Sequence, residues 1–449
     1  MLVAVVGAIL VFCAQYLPIH VDEAITHRHF VSEGWKVAIS TYPFPNNHLL
    51  FSFLATIASK LPFSDLLSMR LVSVGSALVS SVLIYKMVGQ SSSKYVGALA
   101  VLVWLTSLGG FYYSVHARGY GLQTTFVLLS IFSIHKWQSV GKSGGNRNGY
   151  LLVFIISSAL GFFTVPTYLF PFVSLMAWWF IGSQISMKNL KLRFNYAMIA
   201  GAGTTLITLL LYTPLFYYSG IGSLLNNQWV GERSWSNLSQ TQWTSFFPDV
   251  YAYLGPGIAL LLAIYLVVSI VQRSKQQLLL VALIFAPQLL LILFLGTLPF
   301  PRTFAYLSAI VTVLAFRGLK DVFENKHIAV SLGLSVLVLF SASKLFTQFK
   351  IWEDKSANHS KTIHAHLSDK IGAATIYVNE WDECAQLIDY YSWLDKKGPT
   401  VKFVYGEKAW AEIENRKEPT YVFRTGKAIE SKNCISILNE SGVSVFRCN

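Results

Sequence analysis

Long apolar runs separated by short polar loops fill the first three-quarters of the chain. Runs near spanning length, about 17–25 residues for a bilayer core of about 30 Å, fall at 2–18, 66–88, 95–115, 119–137, 149–164, 168–184, 195–218, 250–271, 277–298, 303–319 and 327–345. The pattern predicts a multi-pass α-helical membrane protein of about eleven spans. Leu49–Leu61 is shorter and ends at Pro62, which predicts an interfacial or re-entrant helix. The first run lacks a basic leader and a small-residue cleavage site, so it reads as a span and not as a removed signal peptide.

From about residue 350 the apolar runs shorten and charge rises. Ala374–Asn379, Thr400–Tyr405, Pro419–Arg424 and Val443–Arg447 read as strands, with helices at Glu383–Leu394 and Lys408–Asn415 between them. This predicts a small C-terminal α/β domain over 350–449, following a membrane region over 1–349.

Composition supports the membrane reading. The chain of 449 residues is 53% hydrophobic and only 13% charged, with a mean hydropathy of +0.49. Soluble domains carry about 25% charged residues. The 12 Trp, 22 Tyr and 31 Phe suit interfacial aromatic belts. The net charge of +13 does not point to nucleic acid, because the basic residues stand singly in short loops.

Their placement orients the chain. With the N-terminus in the cytoplasm, inner loops hold Lys86, Lys94, Lys136, Lys142, Arg147, Lys188, Lys191, Arg193, Arg273, Lys275, Arg317, Lys320 and Lys326. Outer segments hold Arg28, Lys36, Lys60, Arg70, Arg118, Arg233 and Arg302. The expectation is a plasma (inner) membrane protein with its C-terminal domain outside the cytoplasm. Cys384, Cys434 and Cys448 then lie where disulfides form. One pair and one free thiol is the simplest arrangement, and Cys434 with Cys448 would close a terminal hairpin.

Three outer segments are polar enough to build a site: 19–48, 219–249 and the region after the last span. In the first, Asp22 and Glu23 follow the opening apolar run directly. Carboxylates at a bilayer edge are costly to desolvate and mark a functional site by default. A partly buried carboxylate there suits a general base, whereas an ordinary helix N-terminus also favours acids through its dipole. The run Thr41-Tyr42-Pro43-Phe44-Pro45-Asn46-Asn47-His48 tilts the balance towards chemistry. Arg118, in the tight turn His116-Ala117-Arg118-Gly119-Tyr120, and Arg302, in Pro301-Arg302-Thr303-Phe304-Ala305-Tyr306, are outer guanidinium groups beside tyrosines. Such groups bind phosphate bidentately, or else snorkel to headgroups. The 219–249 loop, with Trp229, Glu232, Arg233, Trp235 and Trp243, reads as an interfacial anchor.

These residues together resemble the GT-C glycosyltransferases, of the protein O-mannosyltransferase and aminoarabinose lipid A transferase type. The likeness rests on the Asp-Glu pair after span one, the Pro/Asn/His cluster before an apolar helix, Arg70-Leu71-Val72-Ser73 at the next span, the two arginine turns and the outer domain. It implies a transferase moving a sugar from a polyprenyl-phosphate donor to a lipid or glycan acceptor, with membrane lipids as its other partners and no nucleic acid. Asp22 would be the base, with Glu23 as its neighbour or substitute. Arg118 and Arg302 would hold the donor phosphate. Asn47 and His48 would line the sugar pocket, with Tyr42, Asn46, His116, Tyr120 and Tyr306 as further binding residues. The chain departs from relatives in lacking the prolines that often follow the histidine: here Leu49-Leu50 stand instead. No cofactor is implied. A divalent ion on His48 and His116 with Asp22 or Glu23 is an alternative that nothing in the spacing requires. The competing functions are a transporter or flippase of lipid-linked saccharides and a non-catalytic membrane scaffold.

Overall fold

A computed structural model describes residues 2–43, 45–140, 147–181, 190–225, 240–320, 358–379, 382–396, 398–404, 420–425, 434–440 and 443–448. Contacts divide the chain into two units, Met1–Tyr16 with Phe30–Phe346 and Leu17–His29 with Thr347–Asn449. The segment carrying Asp22 and Glu23 groups with the C-terminal unit.

The first unit is helical: α1 (Leu2–Tyr16), α3 (Trp35–Ser40), α4 (Leu49–Ala58), α5 (Asp65–Gly89), α6 (Lys94–Leu105), α7 (Leu108–Val115), α8 (Tyr120–Val140), α9 (Arg147–Thr164), α10 (Leu169–Ile181), α11 (Leu190–Tyr218), the single turn α12 (Gly222–Leu225), α13 (Gln240–Val271), α14 (Lys275–Leu295) and α15 (Leu307–Gly318). Several starts are written in sequence. Ser64, Ser93 and Ser107 cap α5, α6 and α7, each side chain accepting from a backbone N–H of the first turn. The amphipathic logic of soluble helices is inverted: α14 exposes Leu289, Leu290 and Phe294 and buries Gln288. Apolar side chains outside and polar ones within suit hydrocarbon as solvent.

Five described helices, Asp65–Gly89, Arg147–Thr164, Lys191–Tyr218, Trp243–Val271 and Lys275–Leu295, are long and apolar enough to cross a membrane, or up to seven if each of two bent pairs counts once. About eleven spans are therefore not reached among the described residues. The shortfall has identifiable causes. α8 carries a buried polar face of Gln123, Thr124, Thr125, Ser130 and Ser133, which lowers its hydropathy. α15 has only 12 residues. The run expected at 327–345 lies outside the described residues. The run at 95–115 is not one helix but two, α6 and α7, bent by 76°. Glycine permits that bend, since a Cβ at Gly110 would meet the Trp104 carbonyl oxygen at 2.1 Å. Leu49–Ala58 is a short apolar helix, as its length predicts.

α13 begins ten residues before the run expected at 250–271, so Trp243 lies on a helix and stacks on Phe247, ring centroids 5.4 Å apart. The helix is broken at Gly255 (φ 75°), followed by Pro256. Trp229, Glu232, Arg233 and Trp235 lie outside the described residues.

The second unit contains α2 (Val21–Thr26), continued by a π-helical turn to Val31, then α16 (Asn358–Ile371), β1 (Thr375–Asn379), α17 (Glu383–Asp395), β2 (Thr400–Val404), β3 (Thr420–Thr425), β4 (Cys434–Glu440) and β5 (Val443–Cys448). The strands form one mixed sheet in the order β2-β1-β3-β5-β4, parallel about β1 and antiparallel about β5. Ile376, Val378, Val401, Phe423, Leu438 and Val445 form its core with Ile363, Leu367 and Ile388 of the helices. α16 and β4 were not legible in the sequence pattern; the helix expected at 408–415 lies outside the described residues.

Candidate active site

In the first unit the sequence builds a cradle around Arg118. α7 ends at Val115, and His116 turns the chain into extended backbone. The turn is pinned from three sides. Ser73 Oγ donates to the His116 carbonyl at 2.6 Å, Arg118 N–H donates to the same oxygen at 2.8 Å, and the His116 ring stacks on Tyr112 at 4.0 Å. Arg118 itself is 2% exposed. Its Nη2 donates to Asn46 Oδ1 at 2.6 Å and lies 3.1 Å from His48 Nε2, while Nη1 donates to the Asn46 carbonyl at 3.3 Å. Burying a guanidinium is tolerable only with such hydrogen bonds.

Gly119 makes this approach sterically allowed, because a Cβ there would fall 2.3 Å from His48 Nδ1 and 2.7 Å from His48 Cβ. Tyr120 closes the other side, meeting the His48 ring edge-on at 4.8 Å. Tyr42 is buried close by. Burial pushes its phenol well above the usual tyrosine range, the nearby Tyr120 phenol adds to this, and Arg118 partly opposes it. Tyr42, Asn46, His48, Arg118 and Tyr120, nominated from separate stretches of sequence, therefore gather at one place.

Asn47 has a different task. Its Nδ2 donates to the Ala38 and Thr41 carbonyls at 3.0 and 2.6 Å, and its Oδ1 accepts from Ser52 Oγ at 2.8 Å. It shapes the loop that presents Asn46 and His48. Tyr306 is likewise interior: it is fully buried and its hydroxyl donates to Gln288 Oε1 at 2.9 Å. Arg302 sits on the 3₁₀ turn Pro301–Phe304 with its Cζ 4.7 Å above the Phe300 ring. Ala305, just past that turn, lies against α7, where a Cβ at Gly109 would meet its carbonyl oxygen at 2.8 Å.

Arg70 is fully buried, with Nη1 donating to the Ala14 carbonyl at 2.9 Å, three residues before the Ser73 that braces His116. The available signal was a lone arginine inside an otherwise apolar helix.

In the second unit His20 caps α2. Its Nδ1 accepts from Asp22 N–H at 3.2 Å, and Glu23 Oε2 accepts from His20 N–H at 2.9 Å. Glu23 is fully buried in that role, while Asp22 is half-buried. Both the dipole reading and the burial reading of this pair thus have a structural counterpart. One turn on, Arg28 Nε donates to Asp389 Oδ2 at 2.9 Å, and His27 packs edge-on against Trp393 at 4.5 Å. Among the described residues no group of three His, Cys, Asp or Glu side chains gathers to hold a metal.

No protein-family model matches the chain, and no curated protein matches it in sequence. Solved structures do match in fold. ArnT from Cupriavidus metallidurans in the apo state aligns over 99% of this chain and 97% of its own, with a TM-score of 0.65 and 11% identity. The same protein bound to undecaprenyl phosphate gives 0.62 and 12% over the same shares. The Archaeoglobus fulgidus oligosaccharyltransferase, in complex with Zn and sulfate, aligns over 87% of this chain and 61% of its own, at 0.53 and 12%. This chain shares the fold of the ArnT structures over nearly its whole length, and that of the oligosaccharyltransferase over the larger part of it.

Proposed function

We propose that the protein is an inverting membrane glycosyltransferase that takes a sugar from a polyprenyl-phosphate donor and passes it to an extracytoplasmic lipid or glycan acceptor. The observation that carries the reading is the buried Arg118 cradle, with Asn46, His48, Tyr42 and Tyr120, set in a fold shared with a protein solved with undecaprenyl phosphate. In this reading Arg118 and Arg302 stabilise the phosphate as the C1–O bond to the carrier breaks and negative charge develops. The acceptor oxygen forms the new bond to C1 from the opposite face, and its proton passes to Asp22. Glu23 holds the helix start that carries Asp22. Asn47 and His116 shape the two loops that meet at Arg118.

The transporter alternative is less well supported, because transporter sites lie near the bilayer midplane, whereas Arg118 precedes the first residue of α8 and so stands at a helix end. Asp22→Asn separates enzyme from scaffold. With expression and melting temperature matched to wild type, turnover should fall by about 10²–10⁴-fold, the usual contribution of a general base. Donor affinity should stay within about twofold. Wild-type turnover in this variant would remove the assignment.

A further inference from the structure

A cavity of about 520 Å³ lies in the first unit between α8, α10, α14 and α15. Its lining changes character along three of these helices. On α15, Ile310 and Val313 give way to Arg317, with Lys320 just past the helix end; on α14, Ile284 and Leu283 give way to Gln276 and Ser274. On α8, Ile131 gives way to His135 and Gln138. The cavity is thus apolar towards the bundle interior and cationic or polar at the helix ends.

This is the opposite end from Arg118. Gln138 is 18 residues beyond Tyr120 on one continuous helix, which at 1.5 Å per residue is about 27 Å. It is also the end that the Lys/Arg asymmetry predicts to face the cytoplasm. Among the described residues no Asp or Glu lines the cavity. Arg317 Nη2 lies 3.3 Å from His135 Nε2, a neutral partner for a permanent cation. Two further donors at the cavity, Gln138 Nε2 and Trp178 Nε1, are buried and have no hydrogen-bond partner among the described residues. Buried donors left unmade cost free energy; Arg317 and Lys320 favour an anion, and its oxygens can also accept from the two neutral donors.

We propose that this cavity is a second lipid site, taking a phosphate-bearing amphiphile with its headgroup at Arg317 and Lys320 and its hydrocarbon along Ile284 and Ile310. The phosphate can come from an anionic glycerophospholipid of the facing leaflet or from a polyprenyl phosphate, and one experiment distinguishes them. The full-length protein is purified and delipidated in detergent. It is titrated with phosphatidylglycerol, with phosphatidylcholine of the same acyl chains, or with undecaprenyl phosphate, and bound lipid is counted by native mass spectrometry.

Wild type should retain phosphatidylglycerol about tenfold over phosphatidylcholine. Arg317→Gln with Lys320→Gln should abolish that preference, while Arg118→Gln leaves it intact. If instead a second equivalent of undecaprenyl phosphate, and no phosphatidylglycerol, disappears in the double variant, the carrier is the occupant and the site stands. Equal retention by wild type and double variant for every lipid overturns the proposal, as does a loss that follows Arg118 alone. Should the double variant fail to fold, exposed Lys320 is replaced alone, and a change below twofold in that variant also overturns it.

Discussion

Gly119→Ala probes the Arg118 cradle with a single methyl group. The added Cβ would lie 2.3 Å from His48 Nδ1, where carbon and nitrogen normally rest about 3.5 Å apart. The ring must therefore retreat by roughly 1 Å, and Tyr120 at 4.8 Å limits where it can go. That retreat breaks the 3.1 Å contact between His48 Nε2 and Arg118 Nη2. A hydrogen bond to a charged group contributes about 1.5–3 kcal/mol, which is about 10–150-fold in an equilibrium constant at 1.36 kcal/mol per tenfold. Misplacing a catalytic cation by about 1 Å costs a similar 10²-fold in rate. Purified Gly119→Ala in proteoliposomes should lose about 10–100-fold in kcat/KM for the polyprenyl-phosphate sugar. Gly75→Ala is the control, because nothing lies within 4 Å of a Cβ at that exposed position of α5; it should transfer like wild type. If Gly119→Ala also stays within twofold, the His48–Arg118 contact has no part in donor recognition.

Four further outcomes follow from the geometry. Tyr306→Phe leaves the buried Gln288 Oε1 without its donor and should cost about 1–3 kcal/mol of stability, read as a lower melting temperature, with donor affinity unchanged. Arg28→Ala and Asp389→Asn should each destabilise the second unit. Their double-mutant cycle should return a coupling of about 1 kcal/mol, because both side chains of this pair are largely shielded; a coupling near zero would mean the pair is incidental. Burial pushes Cys384 up to about 11, with the Ser360 hydrogen bond opposing this and the Asp382 charge adding to it. The folded thiol should therefore resist iodoacetamide at pH 8 and react on unfolding, and the stability gained by keeping it protonated should be lost as pH rises from about 8.5 towards 11. The strand register sets Cys434 opposite Cys448, so non-reducing peptide mapping should recover that linked pair and leave Cys384 unlinked.

Much of this architecture is legible as hydropathy. Most helix positions and four of the five described strands follow from apolar runs and from β-branched or aromatic alternation, because hydrocarbon demands a continuous apolar stretch and a sheet core a two-residue period. Helix breaks are less legible. At the bend between α6 and α7, Gly110 meets the Trp104 carbonyl oxygen of α6 while Gly109 meets those of Tyr253 and Ala305, and no local pattern encodes the last two partners. The gathering of Tyr42, Asn46, His48, Arg118 and Tyr120 was legible as chemistry but not as geometry. Roles inside that list were not legible at all. Asn47 and Asn46 are adjacent and chemically identical, yet one amide is spent on its own loop and the other on Arg118. Burial likewise separates Glu23 from Asp22, and only the cap formed with His20 shows which carboxylate is structural.

In the proposed reaction Arg118 grips the phosphate of a lipid-linked sugar so that the sugar can leave it. The direct measurement follows release of free polyprenyl phosphate from a labelled polyprenyl-phosphate sugar in proteoliposomes holding wild type, Arg118→Gln or no protein. The account predicts acceptor-dependent release by wild type and a loss of about 10²-fold or more in Arg118→Gln, as expected when an electrostatic donor to the leaving group is removed. Release by Arg118→Gln at the wild-type rate, or none by wild type with any acceptor, would contradict it.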